Sequence, residues 1–234
     1  MKSVLSTKKL TSSQRGLLIN AGVSLVEYNA IQIEPLTFKT PLNIENAIFT
    51  SQNGVHSFVS NVRSGIENTL GLNSVANCYC VGQKTKALLE KNGAKVVKMT
   101  EYASELAPYL VENHKNEHFY FFCGNIRSDV IPSVLSKNNV SFEEINVYKT
   151  TLSPKKFERQ FDAILFFSPS GVRSFFEANL RGMSEKRAIL VGFPKVVCIG
   201  TTTASEAKKY TDNVVISNST TVESVIAKAV KVLT

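Results

Sequence analysis

Phe166-Phe-Ser-Pro-Ser-Gly-Val-Arg-Ser-Phe175 echoes Phe49-Thr-Ser-Gln-Asn-Gly-Val-His-Ser-Phe58, which lies 117 residues earlier, with six of the ten positions identical. Val23-Ser-Leu-Val-Glu-Tyr-Asn29 matches Val140-Ser-Phe-Glu-Glu-Ile-Asn146 at the same spacing, and Cys80-Val-Gly-Gln-Lys-Thr85 matches Cys198-Ile-Gly-Thr-Thr-Thr203 at 118. The spacing is half of the 234 residues. It far exceeds the roughly 20–50 residues of a solenoid repeat. It predicts two similar domains rather than a stack of small units.

Each half reads as strands alternating with helices. Ala47-Ile-Phe-Thr50 is a β-rich run. After a turn, Val55, Phe58, Val59 and Val62 fall at i, i+3, i+4 and i+7, a helical stripe. The other half offers Ala163-Ile-Leu-Phe-Phe167, then Val172, Phe175, Phe176 and Leu180. Cys78-Tyr-Cys-Val81 precedes a helix ending at Gly93, and Val196-Val-Cys-Ile199 precedes a helix to Tyr210, with Val96-Val97 and Val214-Val215 opening further strands. Gly22 and Asn139 occupy matching positions after a helix, where a left-handed residue is wanted, and Gly and Asn tolerate that conformation best. Strands separated by helices predict parallel sheets covered on both faces.

Ligands of such sheets gather beyond the carboxyl ends of the strands. Those ends are alike here: Thr50-Ser-Gln-Asn-Gly54, Gly82-Gln-Lys-Thr85, Cys123-Gly-Asn-Ile-Arg127, Ser168-Pro-Ser-Gly171 and Gly200-Thr-Thr-Thr203. Hydroxyl and amide side chains beside free N–H groups at helix starts suit an anion. The plainer explanation is helix capping, for which Ser and Thr are favoured everywhere. Five similar turns spread over both halves favour a shared binding surface.

Composition narrows the chemistry. With 27 Lys and Arg against 19 Asp and Glu, the net charge is +8, and 43% of residues are apolar. That mixture is globular, not disordered. Apolar runs fall far short of the roughly 20 residues of a membrane span. Met1-Lys-Ser-Val-Leu-Ser-Thr-Lys-Lys9 lacks the apolar core of a secretory signal, so a cytoplasmic protein is expected. Cys78, Cys80, Cys123 and Cys198 show no C-x-x-C spacing and are expected to be reduced core residues. His114 and His118 sit in a polar helix end and loop with no third ligand near them, so no metal is expected. Phosphate-loop, dinucleotide and nucleophile-elbow motifs are absent. Lys8-Lys9, Lys155-Lys156 and Lys208-Lys209 are doublets rather than tracts, which argues against nucleic acid.

Phe49-Thr-Ser51, Val81-Gly-Gln-Lys-Thr85, Phe122-Cys-Gly-Asn125 with Pro132, Val147-Tyr-Lys-Thr150, Phe166-Phe-Ser-Pro-Ser-Gly171 and Ile199-Gly-Thr-Thr-Thr203 stand in one order along nearly the whole chain. That ordered set resembles the uroporphyrinogen-III synthase family of tetrapyrrole (heme) biosynthesis. The resemblance implies two flavodoxin-like α/β domains joined by a two-stranded linker, with a cleft between them. One domain comprises residues 1–34 plus 153–234, built from both termini. The other is an inserted domain of residues 38–149, with linkers at about 34–38 and 149–154. Each repeat would then give its first strand to the neighbouring domain. Crossings near Ile33-Glu-Pro-Leu36 and Thr150-Thr-Leu-Ser-Pro154 fit, since the residue before proline favours an extended backbone.

The resemblance further implies a cofactor-independent lyase that cyclises linear hydroxymethylbilane to uroporphyrinogen III, inverting the terminal pyrrole ring. Eight substrate carboxylates agree with a chain of +8 through electrostatic steering. Tyr148 matches the family's tyrosine that helps the hydroxyl leave. Ser51, Thr85, Ser168, Ser170, Gly171, Lys195 and Thr203 match its substrate-binding positions. Gln52, Asn53, Gly54, Gly124, Asn125 and Arg127 join that set by their place in the same turns, although other members tend to have proline at Gln52 and some a basic residue at Asn53 and at Ser128, a charge that Arg127 would supply one place earlier. No metal and no membrane or nucleic-acid partner is implied, and a monomer is expected. The competing reading is a bilobal sensor that closes on a small anion without catalysis.

Overall fold

The structure is a computed structural model that describes residues 1–63, 71–179 and 194–233. The chain divides into two compact units, Met1–Gln32 with Thr151–Thr234, and Ile33–Thr150.

In the first unit, strands β1 (Ser3–Ser6), β2 (Ser24–Glu27), β9 (Ala163–Phe166), β10 (Lys195–Cys198) and β11 (Val214–Ile216) form a parallel sheet in the order β11-β10-β9-β1-β2. Renumbered within the unit, that is the flavodoxin-like order 2-1-3-4-5. In the second unit, β4 (Asn46–Phe49), β5 (Asn77–Val81), β6 (Val96–Thr100), β7 (His118–Gly124) and β8 (Ser141–Leu152) run parallel in the order β8-β7-β4-β5-β6, with β3 (Ile31–Pro35) beside β8. The order is the same once β7 and β8 are aligned with β1 and β2. The repeat is visible in the element starts, since β4 and β9 begin at 46 and 163, and β5 and β10 at 77 and 195.

Alternation along each strand builds the cores. Val4, Leu165 and Val197 face one side of the first sheet, under α1 (Ser12–Ile19) and α8 (Val222–Leu233). Leu5, Ile164, Phe166 and Cys198 face the other, under α6 (Pro169–Asn179) and α7 (Thr201–Ala207). In the second unit, Phe49, Cys78, Cys80 and Phe122 meet α2 (Gln52–Arg63) and α3 (Gln83–Lys91). Ile48, Tyr79 and Phe121 meet α4 (Ala103–Asn113) and α5 (Val130–Lys137). Strands β1, β4 and β9 are buried throughout, as parallel strands covered on both faces must be.

The expected helical stripes are buried at Val55, Phe58, Val172, Phe175 and Phe176, while Leu180 and the Val62 side chain lie outside the described residues. Gly22 and Asn139 both take positive φ, 69° and 55°. The helix expected to reach Tyr210 ends at Ala207 and continues as hydrogen-bonded turns, where Tyr210 stacks on Phe176.

The exchanged piece is larger than the one strand expected. β1, α1 and β2 all belong with β9–β11, just as β7, α5 and β8 belong with β4–β6. β1 and β2 pair directly, and a parallel pair cannot be separated from its crossover helix. One bond recurs in each unit: the Leu36 N–H donates to the Val147 carbonyl, and the Ser153 N–H to the Ala30 carbonyl, both at 2.9 Å.

Candidate functional site

Parallel strands put every carboxyl end on one edge of each sheet. In the second unit, Ser51, Gln52, Asn53 and Gly54 follow β4, Thr85 follows β5, Gly124 and Asn125 close β7, and Tyr148 lies beside them on β8. In the first unit, Ser168, Ser170 and Gly171 follow β9, and Thr203 follows β10. Thr85, Thr203 and Ser170 are buried, Gln52 is exposed, and Asn53 is half-buried.

Tyr148 is 8% exposed, and its hydroxyl lies 3.1 Å from Ser51 Oγ. Ser51 Oγ also accepts the Gly54 N–H at 3.2 Å, at the start of α2. Either hydroxyl can donate in the Ser51–Tyr148 contact; when Ser51 donates, the Tyr148 proton is left for another acceptor. Burial pushes the Tyr148 phenol above its ordinary value, and the Ser51 hydrogen bond pulls it partly back. The group is therefore a neutral hydrogen-bond donor at physiological pH.

Gly124 makes room for that ring. A methyl group on Gly124 would lie 2.5 Å from Tyr148 Cζ. The positive-φ glycines of the described residues are Gly22, Gly82 and Gly93. Gly124 is thus required by space, not by backbone conformation.

Ser168 repeats the capping half of this arrangement, accepting the Gly171 N–H at 3.0 Å. It lacks the phenol, since the position 118 residues before Tyr148 is Ala30, fully buried. Gly171 packs against the Ser168 and Thr7 hydroxyls, where a Cβ would meet Ser168 Oγ at 3.3 Å. Capping therefore accounts for both serines, and the contact with Tyr148 distinguishes Ser51.

Two expected cations are placed differently. Arg127 is engaged internally: Nε and Nη2 reach Glu144 at 2.6 and 2.7 Å, and Nη1 reaches Asp129. Glu27, 117 residues before Glu144, is likewise held by Arg15, with Nε at 3.1 Å. A pairing that recurs in both units reads as part of the framework. Lys195 is the first residue of β10, exposed and in register with Ala163, the first of β9. It stands at the amino ends of the strands, the opposite edge from Ser168 and Thr203, about 10 Å of strand away.

Lys8 and Lys9 were read only as a charge doublet, yet they follow β1 at the carboxyl edge of the first sheet and are exposed. That they share a sheet edge with the Ser168 turn was not legible without knowing that β1 pairs with β9. Arg173 was also missed; it donates to Ser170 Oγ at 3.2 Å and lies 3.6 Å from Glu206.

The four cysteines are free and buried, as expected. Burial pushes the Cys78, Cys80 and Cys198 thiols to about 12 and Cys123 to about 11. His114 caps α4 and bonds Glu117 at 2.8 Å, while His118 bonds Ser141 at 2.7 Å. Among the described residues no cluster of metal-ligating side chains occurs, and no helix is long and apolar enough to cross a membrane.

The family described as Uroporphyrinogen-III synthase HemD matches residues 13–227. A uroporphyrinogen-III synthase of Chlorobaculum parvum is 26% identical over 227 residues, 89% of each chain. A porphyrin biosynthesis protein HemD of Ruminiclostridium josui is 25% identical over 239 residues, covering 90% of this chain and 44% of that protein. The crystal structure of uroporphyrinogen-III synthetase from Helicobacter pylori superposes with a TM-score of 0.69 at 15% identity, over 99% of this chain and 100% of that one. A mutant uroporphyrinogen III synthase from Thermus thermophilus gives 0.71 at 13% identity, over 100% and 99%. Those two structures speak to the fold alone. With residues 13–227 matched, the chain belongs to the uroporphyrinogen-III synthase family, cofactor-independent cyclising lyases of porphyrin biosynthesis.

Proposed function

We propose that this chain converts hydroxymethylbilane to uroporphyrinogen III with Tyr148 as its proton-donating group. The observation that carries this is the buried phenol held by Ser51 at the carboxyl edge of the second sheet. As the terminal hydroxymethyl carbon loses its oxygen, the pyrrole electrons push the bond open and the Tyr148 O–H donates to the departing hydroxyl. Water leaves, and the proton lost when the ring re-aromatises balances the one delivered. Ser51 donates to the phenol oxygen as charge develops there. Such general-acid assistance contributes about 10²–10⁴-fold. The remaining rate comes from holding a flexible chain so that the substituted carbon meets the electrophile.

Each unit has its own anion-attracting edge, the N–H groups opening α2 in the second and those opening α6 with Lys8 and Lys9 in the first, since helix starts attract anions. Arg127 and Lys195 are left out of that set. A monomer working in the cytoplasm completes the proposal. An anion sensor would use the same edges but gives no reason to bury a phenol against Ser51. The deciding experiment supplies purified protein with hydroxymethylbilane and separates the isomers. Uroporphyrinogen III in excess of the unaided isomer I supports the proposal; isomer I alone refutes it.

A further inference from the structure

Asn125 is an exposed residue whose side-chain amide is nonetheless committed. Its Oδ1 accepts the Thr150 N–H at 2.7 Å, and its Nδ2 donates to the Thr150 carbonyl at 3.3 Å. Its own N–H donates to the Tyr148 carbonyl at 3.3 Å. The β7–β8 register shifts between Cys123 and Gly124, so that Cys123 pairs with Asn146 but Gly124 with Tyr148. The regular ladder therefore stops where the tyrosine needs to be held. An asparagine side chain carries one edge's worth of peptide donors and acceptors, and here it continues the ladder past the irregularity. In the other unit, the position 118 residues before Asn125 is Thr7, whose hydroxyl donates to the Leu165 carbonyl at 2.7 Å, and the position matching Tyr148 is Ala30. The amide stands where the phenol stands.

We infer that Asn125 is a positioning residue for Tyr148 rather than a substrate contact. By gripping the backbone on both sides of Lys149, it fixes the strand that carries the ring, while Gly124 leaves the ring its seat. The inference rests on the reading of Tyr148 as the proton donor.

The test compares Asn125→Ala, Asn125→Asp, Tyr148→Phe and Asn125→Ala/Tyr148→Phe by steady-state kinetics on hydroxymethylbilane. Asn125→Ala should lower kcat about tenfold with KM within about twofold, as expected of a displaced catalytic group. Asn125→Asp keeps the 2.7 Å acceptor but sets an oxygen against the Thr150 carbonyl in place of the Nδ2 donor, so it should recover only part of the loss. The double variant should be no slower than Tyr148→Phe, because groups acting as a unit are not additive. A readout that needs no turnover is the Tyr148 phenol itself, followed by tyrosine ¹³Cζ NMR and assigned with Tyr148→Phe. In Asn125→Ala its titration should move down toward the ordinary value as burial loosens. A Tyr148 resonance unmoved by Asn125→Ala overturns the positioning, as do losses that multiply in the double variant. Full turnover in Tyr148→Phe instead overturns the reading beneath it.

Discussion

Substituting Gly124 with alanine tests the seat of Tyr148 with one methyl group. Ordinary carbon–carbon contact is about 3.5–4.0 Å. The added Cβ would sit 2.5 Å from Tyr148 Cζ, so the ring must retreat by about 1 Å. Backbone conformation does not oppose alanine, since Gly124 is not among the positive-φ glycines. The whole cost is therefore steric, about 1–3 kcal/mol for an overpacked site. For a chain of this size that corresponds to a Tm lower by about 2–12 °C. A misplacement of about 1 Å is enough to cost about 10²-fold in turnover. The assay pairs thermal unfolding with kcat for isomer III formation, in Gly124→Ala, Tyr148→Ala and the double variant. In the Tyr148→Ala background the methyl group meets no ring, so it should cost under about 1 kcal/mol there. A Gly124→Ala protein with full turnover and unchanged Tm, or one equally destabilised with and without the tyrosine, would refute the reasoning.

The placement of the charges gives three further expectations. Lys195→Ala should leave kcat and KM unchanged, because the residue lies at the amino ends of the strands; a KM rise above about threefold would put it back among the substrate contacts. Lys8→Gln/Lys9→Gln should raise KM at low salt with kcat unaltered, and the effect should fade as salt screens the carboxylates; a KM that ignores salt would remove them from the binding surface. Arg127→Leu leaves Glu144 without its fork and should lower stability by about 1 kcal/mol while changing KM little; a large KM increase at unchanged Tm would restore it as a substrate contact. At high pH the buried thiols and phenols hold their protons in the folded chain but release them when unfolded. Stability is therefore fully present below pH 9, the ordinary thiol value, and is lost as pH rises toward the folded values of about 11 to 12; urea midpoints measured from pH 8 to 11 should fall, and a flat profile would contradict the burial.

The architecture was legible because the 117-residue echo and the alternation of strand and helix are local patterns. Gly22 and Asn139, unrelated in chemistry except for their tolerance of positive φ, even marked the same turn in both halves. What is not local could not be read from any one stretch of sequence. That β1 and β2 travel together depends on their direct pairing, which no window of sequence contains. Lys195 resembles a site residue until the strand direction places it at the far edge. Arg127 looks like a free cation until Glu144, 17 residues on, is seen beside it. The Ser51–Tyr148 contact spans 97 residues, so the sequence offered two polar residues and only the fold made them a pair.

The measurement that bears most directly on the account is the rate of uroporphyrinogen III formation by Tyr148→Phe, with folding checked by Tm. Removing one hydroxyl bonded to Ser51 should shift stability by no more than about 1.5 kcal/mol. The account predicts that isomer III formation falls by about 10²-fold or more, with isomer I accumulating from unaided closure. A Tyr148→Phe protein that makes isomer III at the unmodified rate would contradict it.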